Sequence, residues 1–204
     1  MDDIEKRGSD SDHLAWLSHF DSLSWQGKKV LDIGCGSGFL CKQAVAGGAS
    51  VAVGIDMLPP KGLKSIDSWN FLSSDLELSQ WKDDAIALSP EGFDLILAFD
   101  IIEHVRSPWN LLHTCSDLLS DSGSILITTP NANSWERFMR PKTWSGSQDP
   151  QHKTLFNSYS LKFLLERLGY KLEYCKAPVR SIGAFNKLMP QLGGQLFAKA
   201  NVLC

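Results

Sequence analysis

The sequence predicts an α/β domain built on a doubly wound, mostly parallel sheet. Three observations carry that expectation. Residues 28–40, KKVLDIGCGSGFL, pass from an apolar strand through a glycine loop into a helical segment. Further apolar runs of strand type then alternate with segments of helical spacing, the pattern of repeated βα units. Gly34, Asp56, Asp75, Asp100 and Asn131 each fall at the end of one of those runs. A parallel sheet would gather them at its carboxyl edge, where such sheets bind ligands.

The elements follow in chain order. Residues 1–12 are charged and small and are expected to be disordered. Residues 13–204 would form one domain. From His13, Leu14, Leu17, Phe20 and Leu23 recur at helical spacing, so a helix is expected on the sheet edge, with His13 and His19 toward solvent or the cleft rim. Val30, Leu31 and Ile33 make the first strand, and a helix runs from Phe39 through Ala46. Residues 49–56 (ASVAVGID) form a second strand and residues 69–72 a short third one. A helix over 76–87 follows, then the strongly apolar residues 92–99 (GFDLILAF), of the kind buried on both faces of a parallel sheet. Pro108 opens a helix through Leu119, residues 120–123 turn, and residues 124–129 are the fifth strand. Residues 131–153 form a long polar stretch carrying Trp135, Phe138 and Trp144, which reads as a lid over a substrate. A helix over 157–168, stopped by Gly169, and strands at 170–175 and 195–202 complete the chain.

The glycine loop points to a nucleotide cofactor. Glycine lets a ligand approach the backbone, and the helix start offers free N–H groups. The spacing Gly34-x-Gly36-x-Gly38 puts Phe39 where a dinucleotide fingerprint needs glycine, which disfavours an NAD-dependent oxidoreductase. Asp32 beside the loop suits a ligand with an ammonium group and would repel a pyrophosphate. Asp56 stands where nucleotide sites place an acid for the ribose diol, and a carboxylate accepts two hydrogen bonds. Met57 beside it could lie on an adenine or simply pack. A plain structural turn at the loop, and a helix N-cap role for Asp75, remain the simpler alternatives.

Composition narrows the classes. Hydrophobic content of 43% and charge of 21% suit a globular domain. A net charge of −3 gives no electrostatic case for a nucleic-acid partner. The five cysteines form no C-x-x-C pair, so they are expected to be reduced and mostly structural. The N-terminus is unlike a secretory leader, and no apolar run approaches a membrane span, so a cytoplasmic protein is expected.

Asp32-x-Gly34-x-Gly36-x-Gly38 resembles the first motif of the class I S-adenosylmethionine-dependent methyltransferases. FDLILAFDIIEHV, SDSGSILITTPNANS and QHKTLFNSYSLKFLLERLGYKLEY together resemble the branch that includes ubiquinone-biosynthesis O-methyltransferases. The resemblance implies a seven-stranded Rossmann-like methyltransferase fold in a single domain. It implies S-adenosylmethionine held by Asp32, Gly34, Cys35, Gly36, Gly38, Asp56, Met57, Asp75, Leu76 and Phe99. It implies methyl transfer to a small-molecule acceptor, on oxygen above all, with His104, His152 and Asp100 as catalytic candidates. Asp100, Glu103, His104 and His152 are similar to the divalent-metal set of some members. Bracing of the turn by Glu103 and His104 is the simpler reading and is preferred. Asp100 departs from the Glu common in the ubiquinone enzymes, and the chain between strands five and six is compact. A catalytically inactive cofactor-binding module of the same fold is the alternative to an enzyme.

Overall fold

The computed structural model describes residues 10–20, 23–60, 68–179 and 191–202. A seven-stranded sheet runs in the order β3-β2-β1-β4-β5-β7-β6. Its strands are β1 (Lys29–Ile33), β2 (Val51–Asp56), β3 (Asn70–Ser73), β4 (Phe93–Phe99), β5 (Leu119–Pro130), β6 (Tyr170–Lys176) and β7 (Gln195–Val202). β1 to β5 pair in parallel, whereas β7 pairs antiparallel with both β5 and β6. The chain winds outward from β1 to β3, then crosses to β4 and winds the other way. The crevice between β1 and β4 is therefore the point where ligands bind in such sheets.

Alternation along the strands divides the core in two. Leu31, Ile33, Val53, Ile55, Ile96 and Ala98 face α3 (Gln80–Leu88), α4 (Pro108–Leu118) and α7 (Ser158–Arg167), where Trp81, Leu112 and Leu161 meet them. Val30, Leu95, Leu97, Phe99 and Leu126 face α1 (Asp10–Leu17) and α2 (Phe39–Ala46), packing on Trp16, Leu40 and Ala44. The central strand β4 is buried on both faces for nearly its whole length. β3 and β6 at the edges are half exposed, as one-sided neighbours require.

Local chemistry sets the helix ends that matter for the site. Pro108 occupies the first turn of α4, and the Ser107 side chain accepts from the Asn110 N–H. Asn157 caps α7 in a capping box with Ser160, and Gly169, at φ 82°, ends it.

Several boundaries differ from expectation. Residues 1–9 lie outside the described ones, and α1 opens at Asp10, inside the range read as disordered. α1 stops at Leu17 in a tight turn closed by His19 N–H to Trp16 O and Phe20 N–H to Leu17 O. The turn rotates the stripe, so Trp16 and Phe20 are buried while Leu14 is 56% exposed. α3 begins at Gln80 rather than at 76, because Asp75 closes a turn: its Oδ1 accepts from Glu77 N–H at 2.9 Å. Residues 120–123, expected as a turn, bulge within β5 between the pairs Phe93–Leu119 and Leu95–Ser124. Cys35, Cys41, Cys115 and Cys175 are free thiols, and Cys204 lies outside the described residues. Among the described residues no helix is long and apolar enough to cross a membrane.

Residues 131–153 fold into a packed segment with two short helices, α5 (Trp135–Met139) and α6 (Ser145–Gln148). Its aromatics divide. Trp144 is buried under Arg137, whose guanidinium carbon stands 5.6 Å from the ring centre. Trp135 and Phe138 are exposed. Asn131 anchors the start of the segment. Its side-chain amide donates to the carbonyls of Gln191 (2.9 Å) and Gly193 (2.8 Å), and its oxygen accepts from Asn133 N–H at 3.0 Å. Asn131 is fully buried, so Asn131→Ala would orphan these groups. A loss of about 2–4 kcal/mol is expected in denaturant titrations. An unchanged midpoint would show that water replaces the side chain.

Candidate active site

The glycine loop sits at the carboxyl end of β1. Gly34, Gly36 and Gly38 all adopt left-handed φ, at 74°, 49° and 73°. Gly34 and Cys35 N–H groups donate to Ile55 O at 2.8 and 3.0 Å, which pins the loop to β2. A Cβ on Gly38 would run into the Trp69 ring, whereas one on Gly36 would meet nothing within 4 Å. Gly38 therefore serves packing, and Gly36 faces open space.

Asp56 ends β2 beside that space. Its Oδ2 accepts from Gly36 N–H at 3.0 Å and its Oδ1 from Met57 N–H at 2.7 Å. A carboxylate oxygen can accept more than one hydrogen bond. Asp56, Met57, Asp75 and Leu76 line one cleft with Gly34, Ile101, His104 and Lys153. A larger hollow of about 180 Å³ lies between Phe20, Lys28, Asp94 and Lys199, at the other end of the sheet from these residues.

Three residues expected at the cofactor have buried side chains. The Phe99 ring stacks on Phe20, with centres 5.4 Å apart, and belongs to the core under α1. Cys35 is buried beside Trp69 and Gly54. Asp32 lies beneath the loop, 2% exposed, with Cys41 Sγ 3.8 Å from its Oδ2. Burial pushes Asp32 up to about 7; the Cys41 contact opposes this and nearby Asp56 adds to it. The native state thus holds a proton that the unfolded chain releases near its ordinary value of 3.8. The stabilisation is complete below that value and is lost as pH rises through about 7. Denaturant midpoints should fall between about pH 4 and about pH 7, and Asp32→Asn should make the fall shallower. An identical slope in the variant would show that Asp32 is ionised throughout.

α1 covers this end of the cleft. Ser37 Oγ in the loop donates to Asp10 Oδ1 at 2.9 Å. His13, expected at the rim, packs against Trp16, Phe39 and Phe99, with ring centres 5.2 to 6.4 Å away. His19 lies on Phe197.

The polar centre lies after β4. Glu103 is 1% exposed, and its Oε2 accepts from Thr129 Oγ1 at 2.9 Å. Its Oε1 is buried without a hydrogen-bond donor, 4.0 Å from His152 Nε2. Burial, with Asp100 nearby, raises the Glu103 pKa well above the usual carboxylate range. His152 Nδ1 lies 3.2 Å from Gly146 O, so a carbonyl is its partner and Nδ1 carries the hydrogen. In the neutral ring this leaves a lone pair on Nε2, facing Glu103. The His104 ring is 4.7 Å from that of His152. Asp149, from the 131–153 segment, places Oδ2 4.0 Å from Nε2 of both histidines.

Asp100 is not part of this group, unlike in the four-residue metal set that the family resemblance offered beside the preferred bracing role. It is the one non-glycine residue with positive φ (48°) among those described. The left-handed turn breaks the helical spacing that would have aligned it with Glu103 and His104. Its side chain goes toward β5 and β7 instead, where Oδ1 accepts from Thr128 Oγ1 at 3.1 Å and from Gln195 Nε2. Burial raises Asp100 to about 6, against the pull of these two donors. Ligand atoms of Glu103, His104 and His152 lie within 4.8 Å of one another, so these three could hold a cation. Asp149, Thr129, Gln195 and Lys153 are site residues that the sequence reading did not single out. Only Asp149 carried a signal, three positions before His152 in a turn-rich stretch.

Comparison with known proteins bears on the family and the fold. A family profile described as methyltransferase domain matches residues 14–174. A ubiquinone biosynthesis O-methyltransferase of Stutzerimonas stutzeri (strain A1501) is 35% identical over 121 residues, covering 58% of this chain and 50% of that protein. The chain spans about half the length of the curated relatives it matches. The solved structure of a SAM-dependent methyltransferase from Archaeoglobus fulgidus superposes with a TM-score of 0.67 at 24% identity, over 95% of this chain and 94% of the other. Magnesium protoporphyrin IX methyltransferase from Synechocystis, crystallised with SAH, gives 0.58 at 15% identity, over 95% and 81%. With the profile spanning most of the described sheet and the glycine loop at its centre, the chain belongs to the methyltransferase-domain family.

Proposed function

We propose that the chain transfers the methyl group of S-adenosylmethionine to an oxygen of a small-molecule acceptor. The observation that carries this reading is the meeting, at the carboxyl edge of one sheet, of a glycine-loop cleft and the Glu103–His104–His152 centre. The relatives named as O-methyltransferases support oxygen as the accepting atom. A cytoplasmic setting without nucleic acid goes with this reading, supported by free thiols and the net charge of −3.

The cleft binds the cofactor through the exposed face of Gly36, the Asp56 carboxylate at the ribose and the Asp75–Leu76 turn at the adenine. A sulfonium methyl is already electrophilic, so alignment and exclusion of water supply most of the acceleration. The acceptor oxygen forms its bond to the methyl carbon as the carbon–sulfur bond breaks. Its proton passes to His152 Nε2, whose ring is held by the bond from Nδ1 to Gly146 O. The Asp149 carboxylate stands close enough to stabilise the imidazolium. Residues 131–153, anchored by Asn131 and carrying His152 and Asp149, cover the acceptor.

The donorless Glu103 Oε1, facing the His152 lone pair, favours a second reading in which Glu103, His104 and His152 hold a divalent cation. A His ligand with its other nitrogen on a backbone carbonyl is the usual arrangement in metal sites. When bound, the ion would lower the pKa of an acceptor hydroxyl. One experiment tests both readings. Conversion of S-adenosylmethionine to S-adenosylhomocysteine is measured with a panel of phenols, catechols and aliphatic alcohols. The protein is stripped of metal, then supplied with magnesium, manganese or zinc. Turnover on a phenol or alcohol is expected. Full activity in a preparation shown metal-free by elemental analysis would leave the histidine base alone. Cofactor binding with no turnover on any acceptor would favour a binding module.

A further inference from the structure

Lys153 connects two parts of the molecule that the reaction must coordinate. It is the last residue of the 131–153 segment, yet it lines the cofactor cleft with Asp75, Leu76 and Ile101. Its ammonium donates to His104 O and stands 3.7 Å from Glu77 Oε1. Glu77 belongs to the same turn as Asp75, and its Oε1 accepts from Arg106 N–H at 2.6 Å. Lys153 and Thr154 N–H groups both donate to Glu103 O, at 2.8 and 3.2 Å. The end of the segment is therefore fastened to the β4–α4 connection by backbone, and to the Asp75 turn by one side chain.

We propose that Lys153 couples occupancy of the adenine end of the cleft to the seating of residues 131–153 over the acceptor site. A ligand ordering the Asp75–Glu77 turn fixes Glu77, the carboxylate that Lys153 reaches, and so favours the position of the segment that presents Lys153. A seated segment also brings His152 and Asp149 to His104 and Glu103. The coupling thus favours the assembled polar centre when cofactor is bound. Reciprocity follows: an interaction that favours seating in the bound state must also favour binding in the seated state. Lys153→Ala removes both stem and charge. Lys153→Met keeps a comparable apolar stem and removes the charge, which separates packing from the Glu77 and His104 contacts.

The inference rests on the cover role given to residues 131–153, and the experiment separates the two. Backbone hydrogen exchange in residues 135–148 is measured with and without S-adenosylhomocysteine. Each variant is held at a concentration shown by calorimetry to saturate it. In the wild-type chain the ligand is expected to slow exchange there. In both Lys153 variants that slowing should largely disappear at saturation, and affinity should fall about fivefold or more, the lower range of measured couplings. Ligand-induced protection equal to wild type in both variants would overturn the role of Lys153 and leave the cover intact. No protection in the wild-type chain would remove the coupling and, with it, a cofactor-dependent cover. Circular dichroism and denaturant midpoints establish that the variants are folded.

Discussion

Gly36→Val is expected to weaken binding of S-adenosylhomocysteine by about tenfold or more while the chain stays folded. At φ 49° a branched residue is strained, which costs about 1–2 kcal/mol of stability. A Cβ there meets no atom within 4 Å, so the added Cβ itself displaces nothing. The branched side chain fills the space beside Asp56 that the proposed cofactor site occupies. Overpacking of about 1–3 kcal/mol, added to any disturbance of the Gly36 N–H to Asp56 bond, predicts a loss of at least about tenfold and up to several hundredfold. Gly38→Ala should behave in the opposite manner. Its Cβ collides with Trp69, so the folded state itself is destabilised, by several kcal/mol. Calorimetry with a denaturant titration of each variant checks the pair. Wild-type affinity in Gly36→Val would place the cofactor elsewhere.

His152→Ala should lower turnover by about 10²–10⁴-fold, the usual contribution of a positioned acid or base, while affinity for S-adenosylhomocysteine changes little. The expectation follows from position. His152 faces Glu103, His104 and Asp149, whereas the cofactor cleft is lined by other residues, with His104 and Lys153 at its border. Glu103→Gln distinguishes the two readings of the centre. If the ring nitrogen alone takes the proton, the amide keeps Thr129 Oγ1 partnered and activity falls modestly. If a cation is held, loss of the carboxylate weakens manganese binding measured by calorimetry, and turnover falls with it. Full turnover in His152→Ala would remove His152 from the chemistry.

The sequence by itself determined the order of strands and helices, the glycine loop and the carboxyl-edge gathering of Asp56, Asp75 and Asn131. These are local properties: an apolar run of strand length, glycines at fixed spacing, a polar residue where the run stops. Family membership was legible for the same reason, since its motifs are short and contiguous. The division of the core between two faces also follows from period two along each strand.

What only the tertiary structure decided is which of the candidate side chains meet. Glu103, His104, Asp149 and His152 converge across two segments well separated in the chain. No periodicity encodes that approach. Asp100 looked like a partner of Glu103 and His104 because its spacing was helical. A left-handed φ, with Thr128 and Gln195 as hydrogen-bond donors, turned it to another strand. Trp144 belongs to a stretch that reads as a lid over a substrate, yet its ring is buried within that segment. Cys35 lies within the loop and Phe99 ends β4, and the side chains of both are buried in the core. In each case neighbours distant in the chain supplied the deciding contact, and a buried polar or aromatic group takes the orientation in which those neighbours satisfy it.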